Sequence, residues 1–385
     1  MPDNTALRRA RLASAVSAFN LQQDGVGSEA GMKVSAVRAF SLREPVSRRS
    51  YTVLKVATES GVVGFGECEA VSSAELAKAI QTVVGKPATA YEVIRQQLHP
   101  LPGLQAALNM ALLDILGKIV KAPIYQVLGG PTRFKVRAST ALIGETDEAL
   151  LTSMKRAQSA GFRAFLVPVP RVQAPNQGQA FVRATRKRLD SLKAAGGDTA
   201  DFILDGAGLL SAGDASTLAH ELERFHLLWF DQPCRLSNLT AARKVASECV
   251  TPLGFGHPLH DTGDFQDLLR DELIDVLRPN LALNGISQIR KMAALAEAYY
   301  VAVAPYHNGG PVASAAALHL AASLPNFFIQ QIPLPAAEQD RKMRSELAGS
   351  SLERVTEGFA ALPPSAGLGI TISEDALERH RERSA

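Results

Sequence analysis

Between residues 136 and 330 the chain alternates short apolar runs of strand length with amphipathic stretches of helix length, and this limits its fold more than any other feature. The runs fall at 136–142, 164–169, 202–205, 228–231, 253–256, 275–277, 301–304 and 327–330. Helical periodicity fills the intervals, for example at 146–160, 179–195, 216–225, 286–299 and 311–323. Eight strands separated by helices predict an α/β fold, a (β/α)7β TIM-like barrel over residues 136–355. No Gly-rich phosphate fingerprint follows any strand, which argues against an open dinucleotide-binding sheet.

The residues before the barrel follow a different pattern. Strand-like runs at 34–42, 51–58 and 62–67 come first, with Ser60-Gly61 as a tight turn, and a strong helix follows at 104–120. Strands followed by helices without alternation predict an α+β capping domain over 32–135. The tail, 356–385, is expected to return and complete that cap. Residues 1–31 read as a flexible extension, with a secretory or twin-arginine signal as the alternative, since Arg8-Arg9-Ala-Arg11 precedes a mild apolar stretch.

Residues at the C-terminal ends of barrel strands converge on one mouth. Three polar strand ends, Asp205, Asp231 and His257, stand at equal intervals and should meet there. Two carboxylates and an imidazole can hold a divalent cation, and the imidazole suits Mn2+, Fe2+, Ni2+ or Zn2+ better than Mg2+. The other reading is that no metal binds and that Asp231 pairs with His257 directly, or that His257 only caps its strand. His260 is a substitute ligand or a solvated loop residue. Arg235 and Arg278, also at strand ends, can clamp a substrate carboxylate or form outward salt bridges. Glu67 and Cys68 either reach the substrate from the cap loop or, for Glu67, tie that loop to the barrel. Cys234 is a nucleophile or a small buried thiol.

A net charge of +3 without a long Lys/Arg run excludes a nucleic-acid partner, and no apolar run is long enough for a membrane span. Three cysteines, Cys68, Cys234 and Cys249, have no metal-binding spacing and point to reduced thiols in a cytoplasm.

Five stretches in order carry a family resemblance. They are Gly61-Val-Val-Gly-Phe-Gly-Glu67, Asn109-Met-Ala-Leu-Leu-Asp-Ile-Leu-Gly-Lys118 with Pro123-Ile-Tyr-Gln-Val-Leu-Gly-Gly130, Asn284-Gly-Ile-Ser, Ala304-Pro-Tyr-His-Asn-Gly-Gly-Pro311 and Ala366-Gly-Leu-Gly-Ile370. From Met32 onward the chain resembles the enolase superfamily, in its mandelate racemase and muconate lactonizing enzyme branch of sugar-acid dehydratase type. The resemblance implies a cap that selects substrate, and a barrel that binds Mg2+ through carboxylates after the third, fourth and fifth strands. It also implies abstraction of a proton beside a carboxylate, a small sugar acid or hydroxy acid as ligand, dehydration or epimerisation as the reaction, and a homo-oligomer.

The same resemblance exposes substitutions. Asp205 and Asp231 match the first two ligand positions, but His257 stands where a third carboxylate is expected. The lysine pair of the second strand is replaced by Leu166 and Pro168, which cannot titrate. Asn280 takes the place of an Asp after the sixth strand, where it can orient an imidazole without supplying charge. Tyr306 falls at the position of the family's His, with His307 one residue on, so either is a candidate base. Gln331 replaces an acidic group of the eighth strand and can donate only a hydrogen bond. One positioned acid or base contributes roughly 10²–10⁴-fold, so these losses set two expectations. One is an enzyme using other groups, and the other is a catalytically inactive binding or structural member of the fold.

Overall fold

The computed structural model describes residues 31–173, 176–237, 239–349 and 352–382. The predicted extension therefore lies almost wholly outside the described residues. The cap opens with an antiparallel sheet, β1 (Val34–Arg43), β2 (Ser50–Thr58) and β3 (Val63–Cys68), with β2 central. Gly61 at φ 80° makes the turn between β2 and β3. The sheet packs on the helix Pro102–Ile119, whose proline at its start costs no helical hydrogen bond. That helix is buried nearly all round, against the sheet on one side and the barrel on the other.

The barrel strands follow in parallel: β4 (Lys135–Ala141), β5 (Ala164–Pro168), β6 (Asp201–Asp205), β7 (Phe230–Asp231), β8 (Leu253–Phe255), β9 (Val276–Leu277), β10 (Ala302–Val303) and β11 (Gln330–Gln331). β11 pairs with β4, and a single bridge from Val303 to Phe327 closes the ring. The expected barrel is thus present, preceded by its α+β cap. Most paired ladders are shorter than the apolar runs, although flanking residues such as Leu228 and Trp229 still bond the neighbouring strand through their backbone. The eighth run differs most: its pairing lies at Gln330–Gln331, at the end of the expected 327–330 and one residue past it. Ala164, Leu166, Ile203, Trp229, Val276, Ala304 and Ile329 pack as the inner layer.

After the barrel, two short strands (Val355–Thr356 and Phe359–Ala361) form a hairpin whose second strand pairs antiparallel with β4. The helix Glu374–His380 then reaches the cap, where Glu378 meets Arg38 and Glu374 meets Lys55. The tail thus includes an antiparallel addition to the barrel that apolar patterning could not distinguish from a loop.

Two polar residues of the long cap helix join the parts. Asn109 donates to Ser287 Oγ at 2.7 Å and accepts from the Ser287 amide at 3.0 Å, pinning the cap to the barrel helix Leu281–Glu297. Asp114 accepts from the amides of Phe65 and Leu368 and from Lys118, tying β3 and the tail to the same helix. The sheet can lie this close because β3 presents glycines. A Cβ on Gly66 would sit 1.8 Å from the Ala107 carbonyl oxygen, and one on Gly64 would sit 2.2 Å from that of Ala111. Both obstacles are helix backbone and cannot swing aside. Gly66→Ala is therefore expected to lower unfolding free energy by at least about 1–3 kcal/mol, checked by urea denaturation.

Candidate functional site

The strand ends meet at a cavity of about 720 Å³. Its wall includes Leu166, Asp205, Gln232, Arg235, His257, Tyr306, Asn308 and Gln331. Asp205 and Asp231 are directly paired in register across β6 and β7, so two of the three spaced residues are neighbours through strand pairing alone. Asp205 borders the cavity, with Oδ1 accepting from the Ala207 amide at 2.8 Å. Burial, followed by the charge of Asp231, raises its pKa.

Asp231 lies deeper, with no solvent exposure. Arg278 Nε approaches its two oxygens at 3.0 and 3.2 Å, and Trp229 Nε1 donates to Oδ1 at 3.0 Å. His257 Nε2 stands 3.2 Å from Oδ2, close enough for charge to act but without the alignment of a hydrogen bond. Although burial opposes ionisation, Arg278 and then His257 outweigh it and hold this carboxyl down at about 2. Arg278 does not clamp a substrate, nor does it form an outward salt bridge. It is 1% exposed and faces inward, donating also to the Ala304 carbonyl at 2.6 Å and to Gln331 Oε1 at 2.8 Å.

Tyr306 takes the mouth position, its ring centroid 3.8 Å from that of His257 and its hydroxyl 3.4 Å from the His257 carbonyl. Burial raises its pKa far from a base's range. His307 points elsewhere: it is fully buried, away from the cavity wall, with both ring nitrogens unpartnered. Its electrostatic neighbours are Arg344, Glu353 and Arg49. Asn280 does not orient that imidazole. Its Oδ1 accepts from the Ala282 amide at 2.9 Å and caps the helix Leu281–Glu297.

The expectation that Glu67 reaches a substrate gives way to the structural alternative. Its buried carboxylate accepts from the amides of Gly310, Val312 and Ala313, capping the helix Pro311–Ser323. Gly309 and Gly310 permit that approach, since a Cβ on Gly309 would lie 2.1 Å from Glu67 Oε1. Cys68 is buried beside it. Arg235 is exposed at the mouth. Cys234 lines the cavity, but burial pushes its thiol up to about 11, which removes the thiolate a nucleophile needs. His260 tilts against His99 of the cap and does not join the wall. Lys155 and Lys187 lie exposed on outer helices and supply no ammonium to the mouth.

Sequence reasoning missed the inward arginine. The signal available was a basic residue at the end of an otherwise apolar strand, with a carboxylate predicted on a neighbouring one. The Mg2+ that the resemblance implies does not fit these donors. Every oxygen of Asp231 is already held by a cation or a donor. Among the described residues no three His, Cys, Asp or Glu side chains are disposed to hold a metal ion.

Burial pushes His307 down to about 3 and His319 to about 4, from 6.5. Unfolding therefore takes up protons below pH 6.5, and the stability these groups contribute is present above that pH and lost as pH falls toward 4 and then 3. Glu67, raised by burial to about 7, acts in the opposite sense between 4.5 and 7. The difference between wild type and His307→Gln isolates the imidazole. Urea midpoints should show the variant losing at most about 1.4 kcal/mol per pH unit of acid sensitivity below pH 6.5.

Comparison with known proteins agrees with this architecture. Residues 149–376 match the family described as enolase C-terminal domain-like, and residues 37–129 match the mandelate racemase / muconate lactonizing enzyme N-terminal domain. The D-galactonate dehydratase of Ralstonia pickettii is 28% identical over 86% of this chain and 91% of its own length. That of Verminephrobacter eiseniae is 31% identical over 72% and 73%. A mandelate racemase/muconate lactonizing enzyme from Sulfitobacter superposes with a TM-score of 0.82 at 24% identity, covering 92% of this chain and 96% of its own. Members of the superfamily generally use Mg2+. With both of its domains matched in order, the chain belongs to the enolase superfamily, in the mandelate racemase and muconate lactonizing enzyme branch.

Proposed function

We propose that the barrel mouth binds a small sugar acid or hydroxy acid without the lysine-driven proton transfer of the family. The observation that carries this is the make-up of the cavity wall. Arg235, Gln232, Asn308, Gln331 and Asp205 offer donors and acceptors for a carboxylate and hydroxyls, while the second strand ends in Leu166 and Pro168. A cavity of about 720 Å³ is ample for a six-carbon acid. The relatives named D-galactonate dehydratase support the ligand class. Arg235 would take the carboxylate through its fork of donors. Gln331, with Oε1 held by Arg278, would present its amide N–H2 to a ligand oxygen.

A second reading rests on a different observation: His257 lines the cavity with the buried Asp231 3.2 Å behind it. An imidazole so backed can accept a proton from the ligand's α-carbon. Dehydration would then release the β-hydroxyl as water and leave an enol that becomes a 2-keto-3-deoxy acid. Delivery of a proton from cavity water to the opposite face would give the epimer.

Calorimetric titration with D-galactonate and related hexonates and pentonates tests the binding, and proton NMR in D2O tests the chemistry. Saturable binding, weakened roughly tenfold or more in Arg235→Ala, is expected, with no α-proton exchange. Exchange or keto-acid formation that disappears in His257→Gln selects the second reading. Failure of every acid to bind overturns the proposal.

A further inference from the structure

We infer that Arg278 is the resident cation of this barrel, a guanidinium built into the position where a divalent ion would meet Asp231, so that the mouth works without a metal. The inference goes beyond ligand binding and does not depend on it. The carboxylate of Asp231 is fully buried: one Arg278 Nε–H is shared between its two oxygens, Trp229 Nε1 donates to Oδ1, and the His257 ring stands 3.2 Å from Oδ2 without a hydrogen bond. Both oxygens are therefore engaged by a fixed cation, and a metal ion could bind this carboxylate only in competition with it.

The guanidinium is held as firmly as its partner. Nη1 donates to the Ala304 carbonyl and Nη2 to Gln331 Oε1, which links the ends of four strands or strand extensions through one side chain. Aromatic rings flank it, Trp229 at 5.2 Å and Tyr306 at 5.5 Å from the guanidinium carbon. Such faces favour a cation that is already stripped of water. The Trp229 contact needs Gly254 on the adjacent strand, where a Cβ would lie 2.4 Å from the indole. A divalent ion arriving at Asp231 would have to displace this guanidinium or sit beside its positive charge.

Arg278 is thus a positioning residue, since it does not itself line the cavity and acts through Asp231 and Gln331. Its fixed charge keeps Asp231 ionised and turns the Gln331 amide so that the donor end is left for a ligand.

The test is titration of the chelator-treated full-length protein with Mn2+ and with Mg2+, followed by calorimetry and by thermal unfolding. Wild type should show no stoichiometric binding and no shift in Tm at millimolar metal. Stoichiometric binding that is lost in Asp231→Asn overturns the inference, whatever the variants below do. Arg278→Ala should have a lowered Tm that Mn2+ raises again, and adding Asp231→Asn should abolish that rescue. An Arg278→Ala protein that folds yet ignores Mn2+ also overturns it, because no cation position was then being filled. No organic acid enters these titrations, so their failure and failure of the sugar-acid reading are distinguishable.

Discussion

The buried pair of Asp231 and Arg278 is the interaction around which the barrel mouth is arranged. Neither partner has solvent to fall back on, so each sustains the charge of the other. Removing one partner of such a pair typically costs about 3–5 kcal/mol, because the remaining charge is stranded. The inner layer accommodates it: Trp229 and Tyr306 cover the guanidinium, and Gly254 leaves space for the indole. Leu166 belongs to the same apolar layer as Trp229.

A second polar arrangement seats the cap on the barrel. Glu67 caps the helix Pro311–Ser323, and Asn109 grips Ser287. Beside them Arg344 bridges Glu44 and Glu353, with the Nη1–Oε1 contact to Glu44 at 2.7 Å. These groups are buried and almost all are matched, which gives the interface a defined geometry rather than a merely apolar one. His307 lies close to Arg344 and Glu353 of this cluster, while Tyr306 of the same motif faces the cavity.

The barrel, the order of its strands and the cap helix were legible in the sequence because each is written in local periodicity. Asp205, His257, Tyr306, Gln331 and Arg235 were also legible as mouth residues, since strand-end position alone brings a residue to the cavity. Glu67, Asn280 and Arg278 were not legible in the same way. Each carries a side chain whose partner is far away in sequence or is a backbone amide, and a strand-end rule says nothing about direction. Two neighbouring residues such as Tyr306 and His307 alternate sides, so a displacement of one decides which of them meets a ligand.

By itself the sequence determined a β/α barrel with a cap, because alternating apolar runs have few other ways to bury themselves. It also determined that no lysine ends the second barrel strand, since composition at a position needs no coordinates. Only the tertiary structure decided where the charges go. Pairing Arg278 with Asp231 joins residues on different strands across the barrel interior, and burial of both turned a possible ligand site into a closed ion pair.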